Sequence, residues 1–99
     1  MEVFFYGLFM DESILRNQGL NPENPRIGYV NDYTLIIGNR ASLAPSKGES
    51  AFGIVITVDE SAVRKLYEEP SVADYIPEEV NIVLENREQI TAICYNLPA

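Results

Sequence analysis

The sequence has no histidine and a single cysteine, so the usual imidazole base and the commonest zinc ligand are both missing. Proton transfer near neutral pH is left to carboxylates, tyrosines, lysines, Cys94, the N-terminus or a substrate's own groups. The adjacent acids Glu68 and Glu69 stand at the end of a helical pattern, just before Pro70. There the helix dipole and the neighbouring like charge both disfavour ionisation, which would poise an inward-facing carboxyl for acid–base work. At about 100° per residue, Glu69 falls near Leu66 on the apolar arc and Glu68 falls toward the polar side, so Glu69 is expected to be the partly buried acid. Arg40, in a chain short of positive charge, could hold a substrate carboxylate bidentately. Tyr75 and Tyr95 offer hydroxyls to orient a ligand. Cys94 lies in an apolar strand-like run and reads as a small core residue, and the scattered Asp, Glu and Asn form no compact metal constellation.

These residues need elements to bring them together. Val3 to Tyr6 is a run of β-formers ending at Gly7, where a glycine after a buried strand permits a tight turn whose N–H groups can face an anion or a carbonyl. Asp11 then caps a short helix through about Gln18, and Asn21 to Pro25 reads as a surface loop. Ile27 to Ile37 is β-rich but interrupted at Asn31-Asp32, which predicts either two strands with a bend or one strand with a bulge. Ala44 to Glu49 reads as a turn before a central strand over Ala51 to Val58. Asp59 opens a second helix with Val63, Leu66 and Tyr67 on one face, and Val80 to Leu84 and Ile90 to Tyr95 are two further strands around a charged loop. Five or six strands with two short helices predict an α+β domain over residues 1–99 whose sheet curls into a small mixed partial barrel.

Length and charge narrow the function. Ninety-nine residues fold to roughly 5,700 Å² of surface, against roughly 16,000 Å² for the extended chain, enough for one modest core and one small cleft. Size excludes a two-domain cofactor enzyme. Fifteen acidic residues against seven Lys plus Arg leave a net charge of -8, which repels nucleic acid and acidic membrane surfaces alike. With no apolar run of spanning length and no basic, signal-like start, the expected location is cytoplasmic. An exposed edge strand would let two copies pair as a homodimer.

The order of segments carries a resemblance. Phe5-Tyr6-Gly7-Leu8-Phe9-Met10, then Asn39-Arg40-Ala41-Ser42-Leu43-Ala44-Pro45, then Phe52-Gly53-Ile54-Val55, then Leu66-Tyr67-Glu68-Glu69-Pro70 with Tyr75, and finally Ala92-Ile93-Cys94-Tyr95-Asn96 resemble the gamma-glutamyl cyclotransferase-like superfamily over nearly the whole chain. The resemblance implies a small mixed barrel in which Tyr6, Gly7, Leu8 and Phe9 hold a gamma-glutamyl moiety. Leu8 stands where the family commonly has a small polar residue. It also implies a catalytic glutamate six or seven residues before a tyrosine, which Glu69 and Glu68 satisfy at six and seven from Tyr75; the helical-face geometry selects Glu69. The implied reaction needs no cofactor and no metal: the substrate's α-amine attacks its own γ-carbonyl, releasing 5-oxoproline and a free amine, while one glutamate takes and returns the proton. The alternative reading is a noncatalytic ligand-binding or interaction module that keeps this fold and cleft.

Overall fold

The computed structural model describes residues 1–38 and 40–98, with the backbone but not the side chain of Leu8. Five strands are present among the described residues: β1 (Glu2–Phe5), β2 (Glu23–Ile37), β3 (Ala41–Thr57), β4 (Ile76–Leu84) and β5 (Gln89–Asn96). They close into a barrel in the order β1-β3-β2-β4-β5. Every pairing is antiparallel except β1 with β5, which meet in parallel at Val3 and Ile93. Closure pairs the barrel edge that was expected to remain open, and the folded surface is 6009 Å². No helix among the described residues is long and apolar enough to cross a membrane.

Alternation along the strands makes two cores. Phe4, Val30, Leu43, Val55, Val80, Ile82 and Cys94 fill the barrel. Val3, Phe5, Ile56 and Tyr95 point outward, where helices α1 (Glu12–Asn17) and α2 (Glu60–Leu66) cover them with Leu15, Val63 and Leu66. All of Val3, Phe4 and Phe5 are therefore buried, because β1 is covered on both faces. Gly53, paired with Gly28 across β2 and β3, leaves room for the Phe4 ring, while Gly28 lies against Ile82 and Leu84. A Cβ on Gly53 would lie 2.7 Å from the Phe4 ring and would collide with the Phe5 carbonyl oxygen.

Asp11 caps α1 as expected, accepting from the Ser13 N–H at 2.9 Å. The interruption at Asn31-Asp32 is a bulge: the pairing jumps from Asn31↔Ser50 to Tyr33↔Pro45, Asp32 takes φ 65°, and its carboxylate receives the Gly48 N–H at 3.0 Å. Ala44 to Glu49 therefore does not separate two elements. Its extra residues are absorbed as the wide side of that bulge, and β3 runs on unbroken. Nor is Asn21 to Pro25 all loop, since β2 begins at Glu23 and Arg26 reaches back to the Glu2 carboxylate and the Thr57 hydroxyl.

Candidate ligand-binding site

Where β1 ends, the chain turns at Gly7 into a 3-10 turn (Leu8–Met10) closed by Met10 N–H to Gly7 O at 3.0 Å. The tight turn expected at Gly7 forms without a positive φ. The small size of Gly7 matters instead: a Cβ there would approach the Ala41 Cβ to 3.3 Å. Among the described residues neither the Gly7 nor the Phe9 amide has a hydrogen-bond acceptor, which leaves two donors for a ligand.

Beside this turn lies a cavity of about 310 Å³, a size suited to a small organic ligand. Phe4, Phe5, Tyr6, Gly7 and Phe9 form one side, Arg40 and Ala41 a second, and Tyr67, Ser71, Val72, Tyr75 and Tyr95 the third. Of the residues expected at the site, Tyr6, Gly7, Phe9, Arg40, Tyr75 and Tyr95 are brought together here. The side chain of Leu8 lies outside what is described.

The aromatic wall is continuous. Tyr67 stacks on Tyr95 with ring centres 3.9 Å apart and planes 4° from parallel, and Phe9 meets Tyr67 edge-on at 5.9 Å. Tyr75 lies 6.1 Å from Tyr67, donates its hydroxyl to the Ala41 carbonyl at 2.5 Å and carries the Arg40 guanidinium 5.8 Å above its ring. Arg40 also pairs with Asp74 at 3.2 Å. Burial raises the pKa of Tyr6, Tyr67, Tyr75 and Tyr95, so all four hydroxyls are protonated donors at neutral pH.

Asn96 holds this architecture from beneath and was missed as a functional position. It is 6% exposed; its Oδ1 accepts from the Leu43 N–H at 2.8 Å and the Tyr6 hydroxyl at 3.1 Å, and its Nδ2 donates to the Leu43 carbonyl at 2.9 Å. Tyr6 is fixed a second time by donating to the Tyr95 carbonyl at 2.9 Å. A lone Asn closing a β-rich run was the available signal, since a strand-end amide can satisfy a neighbouring strand's unpaired N–H and C=O.

The expected burial of Glu69 is not found. Glu68 and Glu69 are both exposed, and neither lines the cavity. The helical-face geometry assumed a helix running to Glu69, whereas α2 ends at Leu66 with Tyr67 as its C-cap. Tight turns follow, Glu68 N–H to Lys65 O, Glu69 N–H to Leu66 O and Val72 N–H to Glu69 O, and they bring Ser71 and Val72 to the cavity in place of the acids. Cys94 is fully buried with its thiol pushed up to about 12 by burial and then by the Glu78 charge, in keeping with a core role.

A closed mixed five-stranded barrel with two short helices and a cavity at the end of its first strand defines the gamma-glutamyl cyclotransferase-like fold. The family model described as gamma-glutamyl cyclotransferase, AIG2-like, matches residues 3–99, and the chain belongs to that family. Similar solved structures include a gamma-glutamyl cyclotransferase, with a TM-score of 0.84 and 19% identity over 99% of this chain and 66% of that one. A protein from Arabidopsis thaliana solved in solution has a TM-score of 0.84 and 21% identity over 97% of this chain and 67% of that one. An AIG2-like protein from Mus musculus has a TM-score of 0.71 and 19% identity over 96% and 75%. The chain thus spans about two thirds of the length of the first two, and at these identities the likeness is one of fold. No curated protein matches the sequence.

Proposed function

We propose that the chain is a small-molecule-binding member of the gamma-glutamyl cyclotransferase family whose cavity takes a gamma-glutamyl amine or peptide and holds it without cyclising it. One observation carries this reading: among the described residues the cavity is lined by Gly7 and Phe9, whose amides have no acceptor, by the Arg40 guanidinium and by an aromatic wall, and by no carboxylate. Amide donors and Arg40 suit the carboxylate and amide oxygens of a gamma-glutamyl group, and the rings suit its methylenes.

Cyclisation asks for more. The attacking α-amine has to lose a proton and the departing nitrogen has to gain one, so a base within hydrogen-bond reach is required. A guanidinium is a donor with no acceptor, and burial raises the pKa of the tyrosines so that they keep their protons, so among the described lining side chains none accepts that proton. A second reading, cyclotransferase catalysis with Glu69 as general acid and base, is favoured by the bond from Val72 N–H to Glu69 O, which ties that residue to the cavity wall by a single turn.

Titration calorimetry with a panel of gamma-glutamyl amines and dipeptides, paired with mass-spectrometric detection of 5-oxoproline, separates the two. Saturable binding with intact ligand supports the first. Protein-dependent 5-oxoproline that disappears in Glu69→Gln supports the second.

A further inference from the structure

Past its packed centre the barrel's inward face continues on β2, β3 and β4. The register sets Leu35 opposite Leu43 and Ile37 opposite Ala41, so both share the inward face, yet they are 37% and 77% exposed. On β4 the same face carries Ile76, 51% exposed, and then Glu78, which pairs across to Cys94. The inward face beyond the packed centre thus carries three exposed apolar side chains and one carboxylate, and Ala41, which pairs with Ile37, also lines the cavity.

Glu78 is unusual in one respect. Its Oε1 is shielded from solvent and is the one buried side-chain polar atom without a hydrogen-bond partner among the described residues. A shielded carboxylate oxygen lacking a donor is costly, and native structures rarely leave one so without a use for it. The groups its charge reaches do not supply the donor. The Tyr6 hydroxyl is committed to Tyr95 and Asn96, and neither the Tyr33 hydroxyl nor the Cys94 thiol donates to it. The overall charge of -8 further draws cations toward the molecule.

We propose that Glu78 receives the terminal ammonium of a cationic amine carried by the ligand, with the amine's alkyl chain lying against Leu35, Ile37 and Ile76. This rests on the reading that the cavity takes a gamma-glutamyl amine, and it selects among such amines those ending in a second, charged nitrogen. Glu78 is then a specificity-determining residue.

The test compares two probes that differ in one group, the gamma-glutamyl amides of 4-aminobutylamine and of 4-hydroxybutylamine, by titration calorimetry. The wild type is expected to bind the ammonium probe at least about 10-fold more tightly, the size of one charge-assisted hydrogen bond in shielded surroundings. In Glu78→Gln that ratio should fall to about 1. A carbon-13 spectrum of the wild type gives a readout independent of the variant's folding, because the Glu78 carboxyl resonance should move with the ammonium probe and stay in place with the hydroxyl probe. Equal binding of both probes by the wild type, a preference that survives in Glu78→Gln, or an unmoved carboxyl resonance overturns the Glu78 assignment while leaving the cavity reading intact. If neither probe binds, the cavity reading fails and the assignment fails with it.

Discussion

Replacing Asn96 with alanine tests how the site is held. The side chain bridges β5 to the start of β3 by two bonds to Leu43, at 2.8 and 2.9 Å, and also receives the Tyr6 hydroxyl. Alanine removes these three and the bond that Oδ1 accepts from the Leu97 N–H at 3.0 Å. Tyr6 retains its bond to the Tyr95 carbonyl, so its hydroxyl stays satisfied. The Leu43 amide and carbonyl lose their partner at a position only 4% exposed, and each buried orphan costs about 1–3 kcal/mol. The expected loss is therefore roughly 2–6 kcal/mol, a large share of the roughly 5–15 kcal/mol typical of a chain this size. Urea titration followed by far-ultraviolet circular dichroism reads it directly, and the melting temperature should drop by at least about 8 °C at about 4–8 °C per kcal/mol. Asn96→Asp should recover part of the loss, since a carboxylate can still accept from the Leu43 N–H but faces its carbonyl without a donor. A loss below about 0.5 kcal/mol in the alanine variant would refute the claim that this amide ties the cavity's floor together.

Other expectations separate fold from site. Arg40→Ala removes a half-exposed ion pair to Asp74, so unfolding free energy should change by less than about 1 kcal/mol, while affinity for a carboxylate-bearing ligand should fall about 10-fold by calorimetry. Gly53→Ala drives a methyl into the Phe5 carbonyl and the Phe4 ring and should destabilise by at least about 2 kcal/mol in urea titration; a neutral result would mean the barrel interior has slack. At Glu2, burial works to raise the carboxyl's pKa, but the Thr57 hydroxyl and the Arg26 guanidinium outweigh it and hold the group below its ordinary 4.5. A depressed folded value gives stability that is present above the unfolded value and lost as pH falls through the folded one. The stability gap between wild type and Glu2→Gln should accordingly shrink as pH is lowered below 4.5, and a gap that widens would contradict the network.

The barrel was legible because its signals are local and repeated. β-Branched and aromatic runs marked the strands, Asp11 and Asp59 marked both helix starts, and Asn31-Asp32 marked the bulge. The shared location of Tyr6, Gly7, Phe9, Arg40, Tyr75 and Tyr95 came from the order of segments that resembles the family, a pattern carrying information about long-range placement that periodicity lacks. What was not legible depended on where a helix stops. α2 ends at Leu66 with Tyr67 as its C-cap and the Tyr67 ring stacked on Tyr95, and the tight turns that follow leave Glu68 and Glu69 exposed. A residue-angle projection cannot see a partner from another element. Asn96 and Glu78 escaped for a related reason, since their roles lie in what faces them across the barrel.

The proposal that the cavity holds its ligand without cyclising it is tested most directly by incubating the protein with a gamma-glutamyl amide that calorimetry shows to bind, and following ligand and 5-oxoproline by mass spectrometry. Recovery of the intact ligand, with 5-oxoproline no higher than in a protein-free control, is the predicted outcome. Steady release of 5-oxoproline by the wild type, abolished in Glu69→Gln, would show that an acid at the end of α2 does reach the bound ligand.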